Sequence, residues 1–233
     1  MGSEMCIRDR LCNPLASTGC PCHLKSMETM DADVPRSLRI GDAAPNFIAR
    51  TTQGEMSLDQ YRGRWVVFFS HPADFTPVCT SEFVALAKAA PQFEELDCAL
   101  LGLSVDSLYS HVAWLRAIKD VFGVEVPFPV VEDPSMAVGY AYGMLDEQAG
   151  DASAVRATYF IDPEGIIRAL NWYPMNVGRS VDEMLRTVRA LQRSADGQAY
   201  TPADWQPGDD VLLPPALPGS AGDDWFHQLK ADR

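Results

Sequence analysis

The sequence predicts an α/β fold, and three features carry that prediction. Two continuous apolar runs, Trp65-Val66-Val67-Phe68-Phe69 and Cys98-Ala99-Leu100-Leu101-Gly102-Leu103-Ser104-Val105, have the length and β-rich make-up of strands buried on both faces. Between them runs a helical stripe, Phe83, Leu86, Ala87, Ala90 and Phe93, at spacings of three and four. Strand, helix and strand of this length form a right-handed parallel crossover. Further on, Ala157–Ile161 and Ile166–Tyr173 flank the turn Asp162-Pro163-Glu164-Gly165, which makes a hairpin.

Taken in order, the chain opens on a segment that stands apart. Residues 1–36 lack a periodic apolar face and the apolar centre of a secretory signal, yet hold Cys6, Cys12, Cys20 and Cys22. Ser3 to Arg10 resembles translated sequencing-adapter DNA, so Met27 and Met30 are alternative starts and a disordered or artefactual tail is expected. Cys20-Pro21-Cys22-His23 lacks a second matched pair, which makes a metal site or redox pair there the weaker reading.

The folded domain is expected over residues 37–195. Phe47 and Ile48 start a short strand, Thr51 to Glu55 read as a turn, and Leu58 to Tyr61 as one helical turn. After the crossover, a helix presents Val112, Leu115 and Ile118, with Ser107 or Ser110 as its cap. Pro127 to Val131 give a short strand, and Asp133-Pro134 open a helical piece reaching Tyr142. Beyond the hairpin, Ser180 and Glu183 form a capping box for a helix with Val181, Met184, Leu185, Val188 and Leu191 inside. A βαβ unit followed by ββα is the thioredoxin-type arrangement. Residues 196–233 are a separate arm, in which five prolines from Pro202 to Pro218 prevent a long helix. Trp205, Trp225 and Phe226 need a surface to pack on.

Composition limits the partners. The formal charge of −13 argues against nucleic acid and anionic membranes. No run approaches the roughly 18 apolar residues of a membrane-spanning helix.

Chemistry concentrates at the junction between the first buried run and its helix, Ser70-His71-Pro72-Ala73-Asp74-Phe75-Thr76-Pro77-Val78-Cys79-Thr80-Ser81-Glu82-Phe83. Thr76 suits the N-cap, Pro77 the first helical position, and Cys79 falls in the first turn. There the unpaired N–H groups and the positive end of the helix dipole favour a thiolate over a thiol. The crossover sets this sulfur at the carboxyl edge of the sheet, where α/β folds keep their sites. Cys98, inside the second apolar strand, reads as a packed core residue.

The spacing Pro-x3-Thr-x2-Cys, here Pro72, Thr76 and Cys79, resembles the active-site signature of the peroxiredoxins. The longer match, His71-Pro72 through Cys79-Thr80, is similar to the one-cysteine branch, and the resemblance covers about residues 37–225. It implies a thioredoxin-like fold of the peroxiredoxin type with a C-terminal extension. It also implies a thiol peroxidase, with Cys79 becoming a sulfenic acid as it reduces hydrogen peroxide or organic hydroperoxides, in antioxidant defence. Arg156 matches the family arginine that holds the thiolate and polarises the peroxide, and Arg179 a second arginine that supports the site. Glu82, one turn past Cys79, is placed to orient an arginine, while His71 is either a polarising or a structural histidine.

Thioredoxin-like folds also host disulfide oxidoreductases, which need two cysteines separated by two residues. Here Thr80, Ser81 and Glu82 follow Cys79, so that chemistry is excluded. No cysteine follows Cys98, where two-cysteine members keep a resolving thiol. An external thiol (glutathione, thioredoxin or another) is therefore expected, with no metal and no organic cofactor. A resolving role for Cys12, Cys20 or Cys22 depends on the tail. A non-catalytic alternative, a redox sensor or holdase in which Cys79 oxidation is a signal, is separated by testing for turnover. A homodimer formed through the Ile166–Tyr173 edge and the arm, with a decamer as its higher assembly, and a cytoplasmic location complete the expectation. Where the bifunctional mammalian member carries a serine tied to phospholipase activity, this chain has Arg62-Gly63-Arg64-Trp65, so that activity does not carry over.

Overall fold

The computed structural model describes residues 37–145, 154–214 and, for backbone alone, 229–230. Its centre is a seven-stranded sheet in the order β2-β1-β5-β4-β3-β6-β7. The buried runs become β3 (Trp65–Ser70) and β4 (Cys98–Ser104), paired in parallel from Trp65↔Cys98 to Ser70↔Leu103. The helix α1 (Pro77–Glu95) joins them. On one side β5 (Val130–Glu132) extends the parallel set. On the other, β6 (Arg156–Ile161) and β7 (Ile167–Tyr173) form the expected hairpin, antiparallel to β3.

Alternation along β3 divides the core. Trp65, Val67 and Phe69 pack with Phe83, Leu86, Phe93, Trp114, Ile118, Leu185 and Val188, beneath α1, α2 (Leu108–Phe122) and α4 (Val181–Ser194). Val66 and Phe68 face Leu101, Leu103, Tyr142, Met144 and Tyr159 on the opposite side, with α3 (Ala137–Ala141). Both faces of β3 and β4 are thereby covered, which is why these strands read as unbroken apolar runs.

Four details differ from the sequence reading. The Thr51–Glu55 turn is the tip of a hairpin between β1 (Ile48–Thr51) and β2 (Gly54–Ser57); β2 is too polar to announce itself. The buried side of α2 is His111, Trp114 and Ile118, and Val112 is exposed. Aliphatic residues alone pointed one position away, because the buried stripe begins with a histidine. Helix α3 starts only at Ala137, after Met136 in a left-handed backbone with φ +62°, and the Asp133 side chain accepts from Gly139 N in its first turn at 2.7 Å. At α4, Ser180 accepts from Glu183 N, but the Glu183 carboxylate pairs with Arg186 instead of closing a capping box.

In the arm, Trp205 is buried with Ala199 and Val211 against Ala190 of α4, and its indole N–H donates to Asp209 O at 3.2 Å. The two-residue strands β8 (Val211–Leu212) and β9 (Leu229–Lys230) pair antiparallel. Trp225, Phe226 and the cysteines of residues 1–36 lie outside the described residues.

Candidate active site

The geometry of β3, α1 and β6 brings the site together. At the end of β3, Ser70 donates to Val155 O and accepts from Ala157 N at 3.2 Å, which locks the start of β6 beside the strand end. Residues 71–76 then turn the chain into α1. Thr76 takes the N-cap position with extended backbone, and Pro77 the first helical position. The Thr76 hydroxyl does not cap; it donates back to Ala73 O at 2.9 Å. Its proton is thus committed inside the loop while its lone pairs are left to accept. Pro72 and Cys79 are buried and Thr76 is half-buried.

Arg156, the first residue of β6, points at the first turn of α1. Its Nη1 donates to Cys79 Sγ at 3.4 Å and to Glu82 Oε2 at 2.8 Å, while Nε donates to Met175 O at 2.8 Å. Arg179 grips the same carboxylate with its backbone N–H, Nε and Nη2, at 2.8, 2.9 and 2.7 Å. Its Nη1 reaches Ala157 O and Thr158 Oγ1, and the guanidinium lies 5.2 Å from the Phe69 ring centre. Glu82 therefore orients both arginines, not one. Burial by itself would raise the Glu82 carboxyl pKa, but hydrogen bonds from Arg179 and the charges of both arginines bring it below the usual range. Neither arginine is a surface charge: Arg156 is 2% and Arg179 8% exposed.

His71 does not enter this cluster. It is fully buried between Phe83 and Trp114, with ring centres at 4.9 and 5.1 Å, and its Nε2 lies 2.9 Å from Asp74 Oδ1. The other Asp74 oxygen is 2.8 Å from His111 Nδ1. Asp74 and His111 were not singled out in the sequence. The available signal was the spacing of His111 with Trp114 and Ile118, which puts an imidazole on the buried stripe of α2.

Cys98 is the other cysteine among the described residues; both thiols are free and both are buried. Burial pushes the Cys98 thiol up to about 12. It pairs with Trp65, five positions along the ladder from Ser70, so the sheet separates it from the loop by roughly 17 Å at 3.3 Å per residue. A cavity of about 410 Å³ lined by Ala87, Pro91, Cys98 and Phe128 sits at that far end and takes in none of the groups around Cys79.

Residues 40–170 match the AhpC/TSA family, and residues 190–219 match the C-terminal domain of 1-Cys peroxiredoxin. The chain is a peroxiredoxin of the one-cysteine branch. A peroxiredoxin of Methanosarcina mazei is 46% identical over 213 residues, covering 83% of this chain and 97% of that protein. One from Aquifex aeolicus is 49% identical over 170 residues, covering 72% and 77%. Among solved structures, a yeast mitochondrial 1-Cys peroxiredoxin, described for thiol resolution via glutathione/thioredoxin systems, is 43% identical with a TM-score of 0.72, covering 76% of this chain and 87% of that one. A cysteine-to-serine mutant of peroxiredoxin 6 from Arenicola marina is 32% identical with a TM-score of 0.72, covering 81% and 87%. This peroxiredoxin has the thioredoxin-like fold and is a thiol-dependent peroxidase, an antioxidant oxidoreductase. No helix among its described residues is long and apolar enough to cross a membrane.

Proposed function

We propose that Cys79 is the peroxide-reducing sulfur and that Thr76, Pro72, Arg156, Glu82 and Arg179 build its site. One observation carries this reading: two buried guanidinium groups face a single buried carboxylate, with Cys79 Sγ in hydrogen-bond reach of one of them. The cluster holds one positive charge in excess, and ionisation of the neighbouring thiol neutralises it. Arg156 links the two charges, Glu82 fixes Arg156, and Arg179 fixes Glu82 from the other side.

The steps balance without a cofactor. The Cys79 thiolate attacks the nearer oxygen of ROOH, an S–O bond forms, the O–O bond breaks, and RO⁻ leaves to be protonated to ROH. Arg156 donates toward the oxygen on which negative charge grows. Thr76, its proton held by Ala73, accepts from the peroxide O–H, and buried Pro72 keeps the loop backbone fixed around the sulfur. The sulfenic acid then meets an external thiol, giving a mixed disulfide and water, and a second thiol releases Cys79. Thiol resolution via glutathione/thioredoxin systems in the yeast relative favours those two reductants as the first to test. We place this chemistry in the cytoplasm, where external thiols are kept reduced.

We assign the peroxidase domain to residues 37–195 and the remaining arm to contact with a second copy. β7 is a sheet edge among the described residues, and Trp172, Met175 and Val177 stand exposed along or just after it. A homodimer, with a decamer as its higher form, covers this surface.

Peroxide consumption by the intact chain is to be compared with Cys79→Ser and Cys98→Ser, using dithiothreitol, glutathione and thioredoxin in turn. Activity disappears in Cys79→Ser and stays near the parent value in Cys98→Ser. Substantial turnover by Cys79→Ser would overturn the assignment. Light scattering of the same samples at micromolar concentration should give a dimer or larger, and a monomer would sink the oligomer proposal.

A further inference from the structure

The loop that carries Pro72 and Thr76 is shaped by a group that is not part of the arginine cluster. Asp74, 7% exposed, sits in its middle. One carboxylate oxygen meets His71 Nε2 at 2.9 Å and the other meets His111 Nδ1 at 2.8 Å, while the Asp74 backbone N–H donates to Asp106 Oδ2 at 2.9 Å. Asp106 is held in turn by Ser104 Oγ at 2.8 Å, and His111 Nε2 lies 3.2 Å from Val131 O. The loop is thus tied to the ends of β3 and β4, to α2 and, through His111, to β5.

The next residue shows what the ties resist. Phe75 has φ +57°, a left-handed backbone that a bulky side chain disfavours, and it is 59% exposed, so its own packing does not hold it there. Such a conformation persists only where its surroundings over-determine it. Here the constraint lies on either side, at Asp74 and at Thr76. We propose that His111 is a positioning residue for peroxide reduction, which acts through Asp74 to hold the strained loop that presents Thr76 to the peroxide, although it touches no reacting atom.

Both nitrogens of His111 face acceptors, Asp74 on one side and Val131 O on the other. His71 meets Asp74 through Nε2, and its buried Nδ1 has no hydrogen-bond partner among the described residues. Asp74 is thus gripped by one imidazole on each carboxylate oxygen. A metal ion held by the same three side chains, whose ligand atoms lie within 4.8 Å of one another, is the competing reading. The 2.9 and 2.8 Å contacts to Asp74 are hydrogen-bond lengths, shorter than the roughly 3.3 Å between ligands at about 2.0 Å around a tetrahedral ion.

This inference rests on Cys79 as the reacting sulfur, so Cys79→Ser is run alongside. Two variants of His111 separate its two bonds. In His111→Asn the amide nitrogen falls where Nδ1 was and keeps the bond to Asp74; in His111→Gln it falls near Nε2 and keeps only the bond to Val131 O. The readout is the second-order rate of sulfenic acid formation with hydrogen peroxide by rapid mixing, on intact chain with unchanged circular dichroism. His111→Asn should stay within about threefold of the parent, and His111→Gln and Asp74→Asn should each lose about tenfold or more. Equal rates for the Asn and Gln variants, with Cys79→Ser inactive, would overturn the positioning role and leave the site reading intact. Stoichiometric binding of added zinc that vanishes in Asp74→Asn would also overturn it.

Discussion

Two buried carboxylates, Asp74 and Glu82, lie on either side of Cys79 in the chain, and each is held by two nitrogen-bearing side chains, yet the pairs differ in kind. Glu82 lies between two arginines, whose charge does not respond to pH in any range a protein survives. Asp74 lies between two histidines, whose charge does. Burial alone would raise both carboxyl pKa values, and the hydrogen bonds from their partners push both below the ordinary range. The first pair sets the electrostatics at the sulfur, where a lost proton would cost the reaction its charge balance. The second sets the shape of the loop. Permanent charge is used where the chemistry needs it, and conditional charge where only geometry is at stake.

The comparison breaks hardest at Glu82. Glu82→Gln leaves two buried guanidinium groups without a counter-charge, and breaking a buried pair in this way costs about 3–5 kcal/mol of stability. The variant should unfold at markedly lower denaturant, and the rate of sulfenic acid formation should fall by a hundredfold or more as Arg156 leaves the sulfur. Denaturant titration with rapid-mixing kinetics measures both. A variant of parental stability would mean the arginines are solvated in solution.

Arg156→Met is the next step down. It removes charge-assisted hydrogen bonds worth roughly 1.5–3 kcal/mol, about ten- to a hundredfold in rate. Measured at a pH high enough to ionise the thiol in both proteins, the variant should still react slowly. Equal rates there would restrict Arg156 to stabilising the thiolate.

Acid should expose the histidine side of the comparison, with a smaller effect. Burial lowers the His71 pKa below its ordinary 6.5, against the opposing pull of Asp74. As the pH falls below about 6.5, the unfolded chain takes up a proton that the folded chain refuses, so stability declines by up to about 1.4 kcal/mol per pH unit until the folded ring also titrates. Asp74 and Glu82, with depressed folded values, contribute stability that is present above about pH 4 and is lost only below it. His71→Gln should therefore flatten the denaturation profile between about pH 6.5 and pH 5 and leave the decline below about pH 4. An unchanged profile would show that His71 does not govern this window.

Much of the frame was legible because it rests on local signals. The two-sided burial of β3 and β4, the Asp162–Gly165 turn and the apolar stripe of α4 each lie within a few residues. Cys79, Thr76 and Pro77 were readable as a helix start for the same reason, although the Thr76 hydroxyl turns back to Ala73 instead of capping. Arg156 and Arg179 came from the family resemblance, and no spacing in the chain announces that both meet Glu82, 74 and 97 residues away. The link from Asp74 to His111 spans 37 residues and joins a loop to a helix face that reads as apolar only if its histidine is ignored. Long-range polar pairing leaves no period in a sequence.

The position of Cys98 has a consequence in time. The second described thiol lies a sheet's length away, and under the one-cysteine mechanism proposed above the lifetime of oxidised Cys79 is set by the concentration of thiol outside the protein. Halving that concentration doubles the interval in which a second peroxide can carry the sulfenic acid to the sulfinic state, which ordinary thiols do not reverse. Loss of activity during turnover should then follow the ratio of peroxide to reductant and not the amount of peroxide alone.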